Sequence, residues 1–197
     1  MKPLVVSAMA LFLMGCRDHR VLQPTLALPR PGTVVPPFVY PTPDGGRVQS
    51  TALGMTPTVL FLWSTHCPTS RRALTAYREL LRDYDGRGVR VVMLSDDRSD
   101  SELALMPRVL ADSSVRGELA LARGQLGRVV DHSASAPERD TARVQFVLPA
   151  YLVISSAGRV VARSWGPNPQ AIRAAVDSLL ASRRLTQVAA DTATQIL

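Results

Sequence analysis

Cys67 is the residue of this chain best placed to do chemistry. It stands between His66 and Pro68, where an apolar run, Thr58-Val59-Leu60-Phe61-Leu62-Trp63, gives way to a segment with helical spacing. The first N–H groups of a helix have no intrahelical partners. The aligned peptide dipoles add about half a positive charge at that end. Such sites lower a cysteine pKa from about 8.5 to ~3.5–7.5, so the thiolate forms readily. Proline at the first helical position costs no hydrogen bond. The arrangement therefore offers nucleophilic attack by a thiolate. Two neighbours bear on it. His66 either stabilises the thiolate as an imidazolium or is simply an exposed turn residue. The hydroxyl of Ser70 can hydrogen-bond the same thiolate.

The second cysteine, Cys16, has a different setting. Met1-Lys2 is a positive start, and Leu4 to Met14 is an apolar run of eleven residues. That is too short to span a bilayer, which takes about 20 residues, and suits the core of a secretory signal. The run closes in Leu13-Met14-Gly15-Cys16 and resembles the bacterial lipobox. The resemblance implies cleavage after residue 15 and a lipidated, palmitate-bearing Cys16. The protein would then be a lipoprotein held on a membrane of the cell envelope, facing the periplasm or the exterior. Arg17, where an aspartate often retains lipoproteins at the inner membrane, favours the outer membrane. Residues 16–31 form a Pro-rich linker, extended and semi-rigid. With Cys16 lipidated, Cys67 is the one free thiol.

Composition narrows the partners. The 197 residues carry a formal charge of +7. Lys2 is the sole lysine, so the mature chain holds 22 arginines against 16 acidic residues, a net +6. A basic balance can signal nucleic acid. Here the arginines are scattered and aromatics are few, so no nucleic-acid footprint forms. His19, His66 and His132 are far apart in sequence, and no Cys/His spacing matches a zinc site. No cofactor or metal is expected.

The elements that must position Cys67 read as one α/β domain over residues 32–185. Phe38–Tyr40 and Arg47–Gln49 form a hairpin around Asp44-Gly45-Gly46. Thr58–Trp63 is a buried strand, and Pro68 to Tyr84 is a helix with Leu74, Tyr77, Leu80, Leu81 and Tyr84 on one face. Val89 to Leu94 is a second buried strand, parallel to the first. Helices are expected over Ser101 to Leu110, bent or ended by Pro107, and over Glu118 to Val130. Residues 131–145 read as a polar loop. Tyr151–Ile154 and Val160–Ser164 form a hairpin. Asn168 caps a last helix that begins at Pro169 and buries Ile172, Val176, Leu179 and Leu180. Residues 186–197 read as a frayed tail.

The stretch Leu62-Trp63-Ser64-Thr65-His66-Cys67 resembles the active-site strand end of the thioredoxin superfamily, above all its TlpA-like, membrane-anchored bacterial members. These read Phe-Trp-Ala-x-Trp-Cys-x-x-Cys there. A second landmark of that family, a cis-proline leading into a strand and a Gly turn, matches Val147-Leu148-Pro149-Ala150-Tyr151-Leu152-Val153-Ile154 and the Gly158 turn. The resemblance implies a thioredoxin-like fold: a central mixed sheet flanked by helices, with an N-terminal hairpin. It also implies a redoxin-type oxidoreductase acting on protein thiols or disulfides, with Pro149 beside Cys67 shaping the substrate groove. The departure is Ser70, which stands where the family has its second cysteine. Release of a mixed disulfide then needs an external thiol reductant, which makes the site monothiol, C-x-x-S.

Two rival readings remain open. Cys67-Pro68-Thr69, with Ser64 three residues before the cysteine, also resembles a one-cysteine peroxiredoxin. Against that, the family's upstream proline is Leu60 here, and its late arginine falls at Pro149. The other rival is a non-catalytic thioredoxin-fold binding module.

Overall fold

Thr58–Trp63 forms the central strand, and all six of its residues are buried. A strand covered on both faces needs apolar residues at every position, not at alternate ones, and this run supplies them. The computed structural model describes residues 28–53, 55–126 and 148–194, with side chains in the last helix as far as Val188. In chain order the described elements are β1 (Val39–Pro41), β2 (Arg47–Gln49), α1 (Ser50–Leu53), β3 (Thr58–Trp63), α2 (Pro68–Tyr84), β4 (Arg90–Ser95), α3 (Asp100–Asp112), β5 (Glu118–Leu121), β6 (Ala150–Ile154) and β7 (Val160–Trp165). A last helix, α4, follows over Gln170–Thr194.

The main sheet has the order β5-β4-β3-β6-β7. β3, β4 and β5 are parallel, while β6 and β7 run antiparallel to their neighbours. β1 and β2 pair as the expected separate hairpin. The pleat sends alternate residues of β3 to opposite faces. Val59, Phe61 and Trp63 join Leu74, Tyr77 and Leu80 of α2, Met106 of α3, and Ile172 and Val176 of α4. Phe61 lies between Tyr77 and Tyr151, with ring centroids 4.9 and 4.8 Å away. Leu60 and Leu62 point the other way, onto Leu28, Val35, Phe38, Tyr40, Val48 and Leu53. The described helices α2, α3 and α4 thus share one face. The hairpin, α1 and the strap from Leu28 to Val35 cover the other.

Three expectations are corrected. The stretch from Glu118 is strand β5 over Glu118–Leu121, not a helix. Four backbone positions pair with Val92–Ser95 of β4, and Glu118 Oε2 accepts a 2.7 Å hydrogen bond from Arg90 Nε. Tertiary pairing overrides a helical pattern that had no N-cap to support it. Residues beyond 126, including the 131–145 loop, lie outside the described residues. Of the two effects expected of Pro107, it does not end α3, which runs through it. The helix is held at its start by a reciprocal capping box: Ser99 Oγ accepts from Glu102 N, and the Glu102 carboxylate accepts from Ser99 N. Finally, the segment after residue 185 continues α4 to Thr194. That stretch holds no Gly or Pro to stop a helix. Asn168 caps α4 as expected, its Oδ1 accepting from Gln170 N at 3.1 Å, although the helix opens at Gln170 and not at Pro169.

Candidate functional site

The site forms where β3 ends. Cys67 is the N-cap of α2, with extended backbone (φ −83°, ψ 113°) and Pro68 behind it at the start of the helix. Its carbonyl accepts from Arg71 N at 3.1 Å, the first turn of the helix. Cys67 is 1% exposed. The Leu148–Pro149 bond is cis, as the resemblance implied. Cys67 Sγ lies 3.8 Å from the carbonyl oxygen of Leu148. Two segments some eighty residues apart in sequence therefore meet at one sulfur.

The state of that sulfur corrects the sequence reading. Among the described residues there is no free cysteine, and Cys67 is disulfide-bonded. The expected free thiol is instead a sulfur in its oxidised form. The chain's other cysteine, Cys16, and the lipidation expected of it lie outside the described residues.

Ser70 is fully buried, and its Oγ has no hydrogen-bond partner among the described residues. Ser70 Oγ makes no hydrogen bond to the oxidised Cys67 sulfur. Trp63 Nε1 and the Tyr151 hydroxyl, on the same face of the sheet, are likewise buried without a described partner. Burial pushes the Tyr151 phenol above its ordinary range, so it stays neutral. Trp63 is a core residue, as its position on β3 predicts.

His66 is the surprise of the site. Its side chain is 57% exposed, yet one ring nitrogen is enclosed. Nδ1 lies 2.6 Å from Ser64 Oγ, 3.4 Å from Asp97 Oδ1 and 3.3 Å from Glu102 Oε1. Asp97 is fully buried. Its carboxylate accepts from Ser64 Oγ at 2.8 Å, from Thr65 N at 2.9 Å, from Thr65 Oγ1 at 2.9 Å and from Ser95 Oγ at 2.6 Å. A buried carboxylate is stable only when its lone pairs are satisfied, and four donors do that here. Asp97 thereby fixes the whole Ser64–His66 turn that delivers Cys67 to the helix.

Sequence reasoning missed Ser64 as a His66 partner, and missed Thr65, Asp97 and Glu102 altogether. A signal was present. Asp96-Asp97 directly follows β4, at the carboxyl end of a strand parallel to β3, where α/β sheets build their sites. The Ser99-x-x-Glu102 pattern marks the helix start that brings Glu102 to the ring.

His66, Asp97 and Glu102 each offer a ligand-type atom within 4.8 Å of the others. The donor set fits a hydrogen-bond network better than a cation cage. Asp97 is already saturated, and Nδ1 is against a hydroxyl.

Glu102 gives the cluster a pH signature. Burial pushes its carboxyl up, but the backbone N–H groups of Ser99 and Arg98, together with His66, outweigh it and hold it below its ordinary value of 4.5. A depressed carboxyl adds stability above its unfolded pKa and loses it as pH falls through the folded one. Glu102→Gln is therefore expected to melt below the unchanged chain at about pH 7, with the gap closing as pH falls through the lowered Glu102 pKa. Thermal unfolding followed by circular dichroism across that range measures the convergence.

The sequence pattern of the AhpC/TSA family matches residues 31–163. The chain belongs to the AhpC/TSA family. Its fold is that of solved thioredoxin-like proteins. One is a protein described as a putative thiol:disulfide interchange protein DsbE from Chlorobium tepidum, 19% identical, TM-score 0.56, covering 77% of this chain and 98% of that one. Another is a thiol:disulfide interchange protein of the thioredoxin family from Chlorobium tepidum TLS, 20% identical, TM-score 0.57, covering 78% and 99%. A third is an uncharacterized conserved protein from Geobacillus kaustophilus, 20% identical, TM-score 0.60, covering 78% and 83%. Among curated protein sequences nothing matches. The expected thioredoxin-like architecture, with its mixed sheet and N-terminal hairpin, stands as found.

Proposed function

We propose that this AhpC/TSA-family chain is a thiol–disulfide exchange protein of the cell envelope, with Cys67 as its nucleophile. One observation carries the reading: the Cys67 sulfur sits at the start of α2 and 3.8 Å from the carbonyl before cis-Pro149. A thiolate there is stabilised by the helix end, and the backbone before Pro149 forms an edge along which a peptide can lie. The Cys67 thiolate attacks one sulfur of a substrate disulfide. A Cys67–substrate disulfide forms, the substrate S–S bond breaks, and the second substrate sulfur leaves as a thiolate. With Ser70 where a second cysteine would resolve this species, an external thiol completes the cycle.

The address rests on the N-terminal sequence and on the solved relatives, two of which are described as thiol:disulfide interchange proteins. Lipidation at Cys16 would convert its sulfur to a thioether and leave Cys67 as the sole exchangeable sulfur. Chain recovered from envelope membranes and reduced with dithiothreitol would then take up one maleimide per chain, at Cys67. If the chain is not in the membrane fraction, or if after dithiothreitol a maleimide labels two sulfurs per chain and not one, the anchored form is refuted.

The peroxidase reading has less support from the geometry. The Ser64 hydroxyl is engaged by Asp97 and His66, not turned to the cysteine, and Pro149 occupies the arginine position. Reduced full-length protein is expected to exchange with glutathione disulfide and to leave hydrogen peroxide unconsumed. Rapid peroxide consumption that Cys67→Ser abolishes would reverse the two readings.

A further inference from the structure

We infer that Cys16 is the resolving thiol for Cys67 in chain whose Cys16 carries no lipid. The inference rests on the exchange function proposed above and names the sulfur that completes it. Cys67 is disulfide-bonded. The molecule is a single chain with two cysteines, Cys16 and Cys67. The sulfur paired with Cys67 is therefore that of Cys16, a residue outside the described ones. Position 70 holds serine, so the couple is not the short C-x-x-C loop but one closed through the N-terminal segment.

The strap that leads back toward Cys16 is aimed at the site. It lies antiparallel along β7. Val35 N donates to the Gly158 carbonyl at 2.9 Å, and Val34 bridges Arg159. Gly32 N donates to the Val160 carbonyl at 2.7 Å. Further back, the Leu28 carbonyl accepts from the Arg163 guanidinium. Each step toward the N-terminus thus advances along β7 toward Trp165, which pairs with Ala150, the residue after cis-Pro149. Gly166 N donates to the Pro149 carbonyl at 2.9 Å and ties that end of β7 to the site. There the Leu148 carbonyl lies 3.8 Å from Cys67 Sγ. Leu28 is buried in the same core cluster as Leu62 and Ala150, so the strap is fixed where it points. The chain from Leu28 back to Cys16 spans at most about 40 Å when extended. A domain of this size has a radius of gyration of about 15 Å. Cys16 therefore reaches Cys67 from a strap already directed at it.

The electrons balance within the pair. The Cys67 thiolate attacks a substrate disulfide, a Cys67–substrate disulfide forms, and one substrate sulfur leaves as a thiolate. The Cys16 thiolate then attacks the Cys67 sulfur, the Cys67–substrate bond breaks, and the other substrate sulfur leaves as a thiolate. The substrate gains two electrons, and its two thiolates take up the two protons that the chain's thiols gave to solvent. The chain ends as the Cys16–Cys67 disulfide, and the same steps in reverse oxidise a dithiol substrate. Closing so long a loop costs more entropy than closing C-x-x-C, so Cys16 resolves more slowly than a cysteine at position 70. A lipid thioether at Cys16 removes the route and leaves resolution to an external thiol. Anchoring and self-resolution thus compete for one sulfur.

The test uses the full chain made by cell-free synthesis without membranes, which leaves Cys16 as a thiol. The chain is held in mild detergent, reduced, freed of reductant and given one equivalent of Ellman's reagent. The expected result is two 2-nitro-5-thiobenzoate ions released per chain, no adduct mass retained, and a tryptic species that links peptide 1–17 to peptide 48–71. The second release should not depend on protein concentration. At about 1 µM chain, an intramolecular thiol at mM effective concentration outruns a thiol of a second chain by roughly 10³-fold. Cys16→Ser should release one ion and keep its adduct on Cys67. An unchanged chain that also keeps its adduct on Cys67 would overturn the role of Cys16 and leave exchange at Cys67 intact. A linked species found only at the mass of a dimer would overturn the pairing within one chain. Failure of Cys67 to react in either protein would refute the exchange function itself, and this inference with it.

Discussion

If Cys67 exchanges disulfides as proposed, Ser70→Cys is expected to make the chain a self-resolving dithiol reductase. In a turbidity assay with insulin and dithiothreitol, the variant should exceed the unchanged chain by about 10²-fold or more, because resolution becomes intramolecular. The site is already shaped for it. Ser70 lies on the first turn of α2, on the same helix face as Leu74 and Tyr77, fully buried, with an Oγ that no described group engages. Exchanging that oxygen for sulfur gives up no hydrogen bond and places a more apolar atom in an apolar setting. Adding Cys67→Ser to the same variant should return the activity to background, since the new cysteine lies inside the first turn of α2 and not at its cap. An equally active Cys67→Ser/Ser70→Cys double variant would show that the nucleophile has been misassigned.

Asp97→Ala is expected to destabilise the chain by about 3–5 kcal/mol, the usual result of removing one member of a buried charged network. The alanine would leave Ser64, Thr65 and Ser95 with donors aimed at an empty position. An unsatisfied buried donor costs about 1–3 kcal/mol, and relaxation of the turn recovers part of the sum. Against a total stability of about 5–15 kcal/mol, this is a large fraction. Urea unfolding should show a lower midpoint with an unchanged slope. A shift below about 1 kcal/mol would mean that the Ser64–His66 turn holds its shape without Asp97. Asp97→Asn keeps a carbonyl acceptor and should lie between the two.

Much of this architecture is legible in the sequence, for identifiable reasons. β3 is legible because an unbroken run of apolar residues can only be a strand covered on both faces. α2 is legible because Pro68 marks its start and Leu74, Tyr77, Leu80 and Tyr84 mark its buried face. The union of Cys67 with cis-Pro149 is legible through two local patterns that resemble one family, although nothing local links them. Other features escape for equally physical reasons. β5 exists through its pairing with β4, and Glu118-Leu119-Ala120-Leu121 alone has no strand signature. The length of α4 escapes because no residue stops the helix, while the exposed Leu185 and Val188 interrupt its amphipathic pattern.

The site shows the same division. Cys67, His66 and Pro149 are visible through type and spacing. Asp97 is one acidic residue among several in Asp96-Asp97-Arg98-Ser99-Asp100 until the fold aligns β4 beside β3 and buries it under the turn. Its role is a property of neighbouring strands, so no reading along one segment can reveal it. The oxidised state of Cys67 is similar, since a disulfide is a relation between residues.

The central claim is that the start of α2 makes Cys67 an activated nucleophile. The most direct measurement is the rate at which iodoacetamide alkylates Cys67 in the fully reduced chain at about pH 6, compared with a cysteine in an unstructured peptide. The account predicts at least about a tenfold faster reaction in the folded protein, because more of the sulfur is thiolate at that pH. A rate equal to or below that of the peptide, recovering only on unfolding, would contradict it.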